Sequence, residues 1–414
     1  MSADISEYVI VSVVSDDPFA IDVAHFFGQT AEISDVVSLK QFANQEYCPR
    51  FIRDENDFDN IGWGLKGKGV VIVSTYGGEE SRNALAMRTC LLARAAKDNG
   101  AEEVVLAEPD LFYSAQDRGP RREHGEVLFE RDEKDLKKFD GQPFSSLLYA
   151  QLLREAGVDR VLTVHNHSSS VKSLFRREMN GGFYNLSPAS LYADYIVRHE
   201  AQPEESLFLC APDQGAADFV EEVAGQVQEA MADLLIKPKV DTVFLNKKRT
   251  GERAVYMEPS GNSSAALQED IRGHPVIVLD DMVRTGSTIV KCCELLKEWG
   301  ASRVIFVVTH FYPSDEVKEN LNSPAIDEIV TTNTLPLILN RDMQGRLRKK
   351  MLLLKVEKWI AAFLRNNFCE LPPLTGMSLF SIDVSAKNPR CQEHLAKAEE
   401  ADHGALSERS WLSS

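Results

Sequence analysis

Two adjacent carboxylates stand at the end of an apolar run in the segment PVIVLDDMVRTGSTIV, residues 275–290. Asp280 and Asp281 precede a short loop that opens a helical pattern. The loop residues are Arg284, Thr285, Gly286, Ser287 and Thr288. Backbone N–H groups and hydroxyls in such a loop can surround a phosphate at the positive end of a helix. A capping turn would explain one aspartate, but the pair with TGST favours a site for a pentose phosphate.

A second strand, loop and helix start occurs in LCAPDQGAADFV, residues 209–220. Asp213 follows the strand, and Gly215 and Ala216 would let backbone amides approach a ligand closely. A PDxG turn also caps many helices, so this segment alone leaves a ligand site and a helix cap equally open.

Two histidines follow another strand in TVHNHSSSV. His165 and His167 are two residues apart, and we expect them on one side of an extended segment. A zinc site would need a further His or Cys at suitable spacing, which the sequence does not offer. Two interpretations remain. One histidine lies near a hard cation that is bound through substrate oxygens, or the histidines are hydrogen-bonded loop residues.

Cations are concentrated in FLNKKRTGERAVYM, in a chain that is otherwise acidic. They are Lys247, Lys248, Arg249 and Arg253. A basic flap over phosphates would stabilise charge on a phosphoryl group in transfer. A charge run is also typical of a solvated surface, and by itself this one favours that interpretation.

An aromatic ring, an amide and a carboxylate lie close together in QFANQEYCPRFI. Phe42, Asn44 and Glu46 could stack on a purine and form hydrogen bonds with it. The pattern is not specific when taken alone.

These segments follow short β-branched runs, and each run is followed by an amphipathic stretch. Alternation of this kind predicts an α/β fold with parallel sheets covered by helices on both faces. Ligands of such sheets bind beyond the carboxyl ends of the strands. We expect two similar domains, residues 1–185 and 186–370, an exposed insertion at 119–141, and a polar tail at 371–414 that is disordered or loosely docked from about Ser381.

The charge balance argues against polyanionic partners. The 414 residues include 46 Lys and Arg against 63 Asp and Glu, a formal net charge of −17, so we expect neither nucleic acid nor an anionic membrane to bind. Seven cysteines without CxxC spacing indicate a reducing compartment. A basic leader and a run of about 18 apolar residues are both lacking, and we expect a cytoplasmic protein.

Taken together and in order, six segments resemble the ribose-phosphate pyrophosphokinase (phosphoribosyl pyrophosphate synthetase) family across most of residues 5–370. The segments are QFANQEY, FYSAQDR, VLTVHNHSS, APDQGA, NKKRTGERA and VLDDMVRTGSTI. The resemblance implies two tandem phosphoribosyltransferase-type domains, each a mainly parallel sheet with flanking helices, and a homo-oligomer, usually a hexamer. It also implies transfer of the diphosphoryl group of Mg-ATP to the 1-hydroxyl of ribose 5-phosphate.

The resemblance further implies roles for individual residues. Lys247 and Arg249 would be catalytic. ATP would be bound by Phe42, Asn44, Glu46, Gln116 and Asp117. Ribose 5-phosphate would be bound by Asp280, Asp281, Arg284, Thr285, Gly286, Ser287 and Thr288. The cofactor would be Mg2+, carried chiefly by ATP with His167 and Asp213 nearby.

The chain departs from the family pattern at four places. Ala115 stands where the ATP segment has Arg, His165 where the metal strand has Asp, and Arg284 where the phosphate loop begins with Asp; residues 119–141 are inserted. Loss of a phosphate-binding Arg would cost about 1.5–3 kcal/mol unless Arg121 or Arg122 replaces it. We expect an active synthetase. The alternatives are a non-catalytic regulatory homologue, a phosphoribosyltransferase that consumes the activated sugar, and a synthetase for a modified ribose phosphate.

Overall fold

The computed structural model describes residues 8–127, 129–201, 206–233, 239–250, 254–259, 264–369, 378–383 and 388. They form two compact α/β units. The chain passes from the first unit to the second between Leu186 and Ser187, and returns to the first between Val356 and Glu357.

The first unit contains one parallel sheet and a separate hairpin. Its elements up to the first crossing are β1 (Tyr8–Ser12), α1 (Pro18–Phe27), α2 (Ile33–Val36), β2 (Val37–Gln41), β3 (Tyr47–Phe51), β4 (Gly69–Val73), α3 (Arg82–Asp98), β5 (Glu103–Ala107), α4 (Glu133–Lys138), α5 (Ser145–Ala156), β6 (Arg160–Val164), α6 (Ser169–Glu178) and β7 (Phe183–Leu186). The sheet order is β1-β4-β5-β6-β7, and every neighbouring pair is parallel. β2 and β3 pair antiparallel outside this sheet.

β-Branched residues form these strands because both faces of the sheet are covered. In β4, Val70, Val71 and Ile72 are at most 1% exposed, as expected for a parallel sheet between helices. The helix α3 begins where Ser81 accepts a hydrogen bond from the N–H of Ala84. All five strands therefore end at the same edge of the sheet, where the loops that follow them can form a site.

The second unit contains a sheet of eight strands. Its elements are α7 (Ala189–His199), β8 (Leu207–Ala211), α8 (Ala217–Asp233), β9 (Val240–Thr250), β10 (Ala254–Pro259), α9 (Ser264–Ile271), β11 (Pro275–Val283), α10 (Ser287–Glu298), β12 (Arg303–Phe311), α11 (Asp315–Asn320), β13 (Glu328–Thr332), α12 (Arg341–Gln344), β14 (Met351–Lys355) and β15 (Ser381–Ile382). The helix α13 (Glu357–Phe368), which lies between β14 and β15 in the chain, belongs to the first unit. The sheet order is β10-β9-β8-β11-β12-β13-β14-β15. The β9–β10 and β14–β15 pairs are antiparallel, and the pairs between them are parallel.

Apolar runs of the sequence again become buried strands in this unit. Ile277 in β11, Phe306 in β12 and Leu353 in β14 are each 0% exposed. The alternation of strands and helices expected from the sequence is present, so the predicted α/β class is confirmed. None of the helices in the described ranges is both long and apolar enough to cross a membrane.

Two predicted boundaries need correction. The proposed second domain, 186–370, includes α13, but that helix belongs to the first unit. Arg365 in α13 donates a 2.6 Å hydrogen bond to the carbonyl of Phe27 at the end of α1. The predicted loose tail is wrong for its described part, because β15 pairs with β14 and the Asn388 amide donates a 2.7 Å hydrogen bond to Glu328.

Most described residues of the insertion at 119–141 are exposed, as its charge density predicts, but one arginine within it is buried. Arg131 is 4% exposed, and its guanidinium donates 2.8 Å hydrogen bonds to four acceptors. They are the carbonyls of Gly119, Arg121 and His124 and the carboxylate of Asp135. The sequence did not identify this buried residue, because a guanidinium held by hydrogen bonds in the interior has the same local sequence as a solvated one.

Candidate active site

The aspartate pair lies within β11 rather than in the loop after it. β11 pairs with β8 only as far as Val278, whereas on its other side it continues alongside β12 to Val283. Asp280 and Asp281 therefore occupy the stretch where one edge of β11 has lost its neighbour, and both are half-buried. The N–H of Asp281 donates a 2.9 Å hydrogen bond to Asp280 Oδ1. An open strand edge with two carboxylates can accept hydrogen bonds from the hydroxyls of a ligand.

The carboxylates of this unit act on one another. Burial raises the pKa of Asp280 well above its ordinary value, and the negative charges of Asp281 and Asp213 raise it further. Two carboxylates so close cannot both ionise without a cost, so hydroxyl donors or a cation from a ligand would stabilise the ionised pair.

The loop after β11 has the geometry of an anion site. Gly286 has φ 78° and serves as the N-cap of α10, and as a glycine it has no side chain with which to cap the first amides of the helix. A Cβ at Gly286 would lie 3.0 Å from Leu321 Cδ2, which restricts this position to glycine. The Asn320 amide holds the loop by a 2.7 Å hydrogen bond to the carbonyl of Thr285. Arg284, Thr285 and Ser287 are exposed and Thr288 is half-buried, so the loop is accessible to a phosphate.

Asp213 both caps a helix and faces the aspartate pair. Its Oδ1 accepts a 2.9 Å hydrogen bond from the N–H of Gly215, at the start of the short helix Gln214–Ala216. The helix contacts β11 and β9, and the charge of Asp213 acts on Asp280. Asp213 is therefore a helix cap whose charge also acts on the aspartate pair, and its role in a ligand site stays a prediction.

The basic segment forms a hairpin that extends beyond the carboxyl end of β8. β8 pairs with β9 up to Phe244, after which β9 continues to Thr250 and pairs antiparallel with β10. Lys247 and Arg249 lie in this extension, opposite Met257 and Val255. β10 contacts α10, the helix that begins at the phosphate loop. The backbone thus brings the hairpin and the loop to the same end of the sheet, while Arg253 lies outside the described residues.

The two histidines do not share one side of an extended segment, as their spacing predicted. His165 has φ 47° and is 8% exposed, whereas His167 is exposed. Asn185 in β7 accepts a hydrogen bond from the N–H of Asn166 and donates one to its carbonyl, which fixes this turn. A left-handed residue breaks the alternation of a strand, so the prediction is wrong and a two-histidine metal site is not formed here.

The predicted purine contacts lie at the tip of the β2–β3 hairpin. The N–H of Phe42 donates a 2.8 Å hydrogen bond to the carbonyl of Glu46, and the Asn44 side chain accepts one from the N–H of Glu46. All three residues are exposed, and Lys40 lies 4.9 Å from the ring of Phe42. An exposed ring beside a carboxylate and an amide can stack on a base and read its edge.

The other predicted ATP residues lie in the loop between β5 and α4. Gln116 is exposed, and the carboxylate of Asp117 accepts a 2.7 Å hydrogen bond from Ser168 at the start of α6. Ala115 is exposed and carries no charge. The proposed substitutes Arg121 and Arg122 are also exposed, and Arg122 lies 3.9 Å from Glu130.

A cation that sequence reasoning missed lies beside this loop. Arg82, the first residue of α3, forms an ion pair with Asp110. Its guanidinium lies 5.0 Å from the ring centres of Tyr76 and Phe112. The local sequence does not distinguish this arginine from a solvated helix residue, because Tyr76, Asp110 and Phe112 come from the loops after two different strands.

The described residues hold no group of three or more His, Cys, Asp or Glu side chains that could bind a metal ion by itself. His167 belongs to the first unit and Asp213 to the second. Oxygen-rich positions such as Asp213 and the aspartate pair suit Mg2+, which keeps many ligands from phosphates and water. The residues present therefore fit an Mg2+ ion delivered with a nucleotide rather than one held in a protein cage.

Comparisons with known proteins agree with this arrangement. A family model for the phosphoribosyl transferase domain matches residues 191–334. Ribose-phosphate pyrophosphokinase 4 of Saccharomyces cerevisiae is 29% identical over 283 residues, 68% of this chain and 73% of that protein. Ribose-phosphate pyrophosphokinase of Neisseria meningitidis serogroup A is 28% identical over 277 residues, 66% of this chain and 70% of that protein.

A solved structure shares the fold. The crystal structure of phosphoribosylpyrophosphate synthetase from Mycobacterium smegmatis is 23% identical and aligns with a TM-score of 0.66, covering 87% of this chain and 99% of that chain. With the family model, this alignment confirms the prediction of two tandem phosphoribosyltransferase-type domains. The named relatives, the family model and the shared fold lead to one conclusion: the chain is an enzyme similar to the ribose-phosphate pyrophosphokinases.

Proposed function

We propose that the protein transfers the diphosphoryl group of Mg-ATP to the 1-hydroxyl of ribose 5-phosphate, giving phosphoribosyl pyrophosphate and AMP. One observation carries the proposal: a pair of aspartates in β11 leads directly into an uncapped helix start at Gly286. That arrangement offers hydrogen-bond acceptors to a sugar diol and donors to a phosphate on the same short stretch of chain. The relatives named above are ribose-phosphate pyrophosphokinases, which supports the same acceptor here.

Ribose 5-phosphate is bound by β11 and the loop after it. Asp280 and Asp281 accept hydrogen bonds from the ribose 2- and 3-hydroxyls. The amides and hydroxyls of residues 285–288 donate to the 5-phosphate, and Arg284 adds a cation at the start of that loop. Because burial and the charge of Asp281 disfavour ionisation of Asp280 in the unliganded protein, hydroxyl donors from the sugar stabilise the ionised pair.

ATP is bound by residues of the first unit. Phe42, Asn44 and Glu46 take the purine at the hairpin tip, and Gln116 and Asp117 contribute from the loop after β5. These residues serve binding, and they do not take part in the exchange of bonds.

In the transfer, a bond forms between the 1-hydroxyl oxygen of ribose and the β-phosphorus of ATP. The bond between that phosphorus and the oxygen bridging to the α-phosphate breaks, AMP leaves with that oxygen, and the hydroxyl proton passes to solvent. Lys247 and Arg249 stabilise the negative charge that spreads over the migrating group. Mg2+ supplied with ATP neutralises phosphate charge, and His167 and Asp213 are the residues proposed to lie nearest to it.

Purified protein with ATP, Mg2+ and ribose 5-phosphate tests the proposal by chromatographic detection of AMP and phosphoribosyl pyrophosphate. We expect Lys247→Ala to lower kcat by at least about a hundredfold with a smaller effect on KM, since the lost interaction acts mainly in the transition state. Lys239→Ala, at the exposed position directly before the same strand, is the matched control and keeps wild-type turnover. An inactive wild-type enzyme, or equal turnover in wild type and Lys247→Ala, would contradict the proposal.

Two finer statements belong to the same proposal. A panel of pentose and hexose phosphates, scored by AMP release, should give the highest kcat/KM with ribose 5-phosphate; a higher value for another acceptor would reassign the substrate. We also propose a homo-oligomer, a hexamer by family resemblance, and light scattering of the purified protein would show a monomer if this is wrong.

A further inference from the structure

A fully buried carboxylic acid lies next to the proposed ATP loop and takes no part in the proposed reaction. Glu108 is the first residue after β5 and is 0% exposed. Burial of an ionisable group is costly unless its surroundings satisfy it, so its contacts indicate what it does.

Glu108 joins three parts of the first unit. Its Oε2 accepts a 2.8 Å hydrogen bond from the N–H of Phe112, the first residue of the proposed ATP segment FYSAQDR. The hydroxyl of Tyr149 in α5 lies 3.0 and 3.2 Å from its two carboxyl oxygens. Ser74, directly after β4, forms a further side-chain hydrogen bond with it. One side chain therefore connects the ends of two neighbouring strands with a helix that packs on the sheet.

The ATP segment is held at a second point by a neighbouring residue of the same helix. Ser146 Oγ lies 2.6 Å from the carbonyl oxygen of Tyr113 and 2.9 Å from that of Gln116. Tyr113 has φ 59°, a conformation that a tyrosine adopts only when its surroundings impose it. Fixed contacts on both sides of this residue therefore set the path that carries Gln116 and Asp117.

We propose that Glu108 is a positioning residue for ATP: it fixes the conformation of residues 112–117, and its protonation state makes nucleotide affinity depend on pH. The proposal rests on the proposed function, since it takes ATP as the ligand of this segment. Glu108 acts through the N–H of Phe112 and does not itself contact the nucleotide.

The charges around Glu108 give the direction of the pH effect. The facing titratable and charged groups are Arg82 and Cys90 in α3, Tyr113 in the loop, and Tyr149 in α5. Burial raises the pKa of Glu108 to about 8, against hydrogen bonds that favour the carboxylate. The side chain is therefore neutral at pH 7 and ionised at pH 9, where a negative charge under the segment opposes a polyphosphate.

The test compares the wild type and four variants by their KM values for ATP and ribose 5-phosphate at pH 7 and pH 9. Glu108→Leu keeps the volume and removes the acceptors, so we expect KM for ATP to rise about tenfold while KM for ribose 5-phosphate is unchanged. Glu108→Gln keeps an acceptor and cannot ionise, so it should rescue ATP affinity at pH 7. In wild type, KM for ATP should rise about threefold between pH 7 and pH 9, and this rise should be absent in Glu108→Gln.

Tyr195→Phe is the matched control. Tyr195 is a fully buried tyrosine of the second unit whose hydroxyl donates a 3.0 Å hydrogen bond to Glu200. The variant Tyr195→Phe loses a hydrogen bond from a buried tyrosine hydroxyl to a glutamate, as Tyr149→Phe does, but only Tyr149→Phe should raise KM for ATP. Equal KM values for ATP in wild type and Glu108→Leu, a rise shared by both substrates, or the same pH profile in wild type and Glu108→Gln would overturn the proposal.

Calorimetric titration with ATP alone separates this inference from the proposed function. If the wild type binds ATP but forms no AMP with ribose 5-phosphate, the proposed function fails, and the dissociation constants of the variants still test Glu108. If Glu108→Leu does not fold, Glu108→Gln and Tyr149→Phe carry the comparison.

Discussion

Replacing Glu108 by glutamine should stabilise the protein by an amount that grows with pH. Glu108 is 0% exposed, and burial raises its pKa from an ordinary value of 4.5 to about 8. The hydrogen bonds from Phe112, Tyr149 and Ser74 and the charge of Arg82 lower the pKa but do not cancel the effect of burial. Glutamine has nearly the same volume and never ionises, so it keeps the packing and removes the titration.

The magnitude follows from linkage between protonation and unfolding. Between pH 4.5 and about 8 the folded protein keeps a proton on Glu108 that the unfolded chain releases, so the free energy of unfolding falls as pH rises. The slope is about 1.4 kcal/mol per pH unit. The advantage of Glu108→Gln should therefore be near zero at pH 4.5, about 3 kcal/mol at pH 7, and about 5 kcal/mol above pH 8.

Urea unfolding of both proteins at one-unit steps from pH 5 to pH 9 would measure this difference, with hydrogen exchange of β5 peptides to confirm that the first unit is being observed. Glu102→Gln, an exposed position one residue before β5, is the control and should show no trend with pH. A difference between wild type and Glu108→Gln that is constant across this range would refute the reasoning, because burial would then not govern ionisation of this side chain.

Three further predictions follow from the contacts described above. Gly286→Ala places a Cβ 3.0 Å from Leu321 in a left-handed residue, and steady-state kinetics should show KM for ribose 5-phosphate raised at least about tenfold with KM for ATP unchanged. Arg131→Met removes four buried hydrogen bonds and should lower the free energy of unfolding by about 3 kcal/mol in urea, whereas exposed Arg122→Met should not change it. Asp280→Asn removes a half-buried carboxyl whose ionisation is disfavoured by burial and by the charge of Asp281. Thermal unfolding of the unliganded protein should therefore occur at higher temperature, while calorimetry should show ribose 5-phosphate bound at least about tenfold more weakly.

Sequence patterns were sufficient for the sheets and for the phosphate loop because both depend on neighbours along the chain. A run such as GVVIV specifies a buried strand through its own composition, and TGST specifies a helix start through the glycine that only a left-handed turn requires. The polar residues after β8 and β11 then meet because parallel strands end at one edge. Local information therefore predicted which polar residues of the second unit lie at one end of the sheet, and their roles in binding stay predictions.

Local patterns failed where a partner from another element decides the conformation. His165 and His167 would alternate in a strand, but Asn185 in β7 holds Asn166 and the backbone turns. The amphipathic pattern of α13 predicts a helix without saying which unit it packs on. The helix packs on α1, where Arg365 donates a hydrogen bond to the carbonyl of Phe27. Each of these outcomes depends on contacts between residues that are distant in sequence.

Glu108 shows why a buried ionisable group is the hardest feature to predict from sequence. In VVLAEPD it resembles the polar strand ends that form ligand sites, and at such a position a carboxylate is expected to face solvent or ligand. Tyr149, 41 residues later, covers it and donates to it. A carboxylate at the end of a strand can therefore contact a ligand, or it can support the loop that contacts the ligand. Which of the two it does depends on whether a neighbouring helix supplies a hydroxyl that covers it. Because Tyr149 lies in the helix that also carries Ser146, one helix fixes both the acid and the loop, which is why we assign Glu108 to support rather than to chemistry.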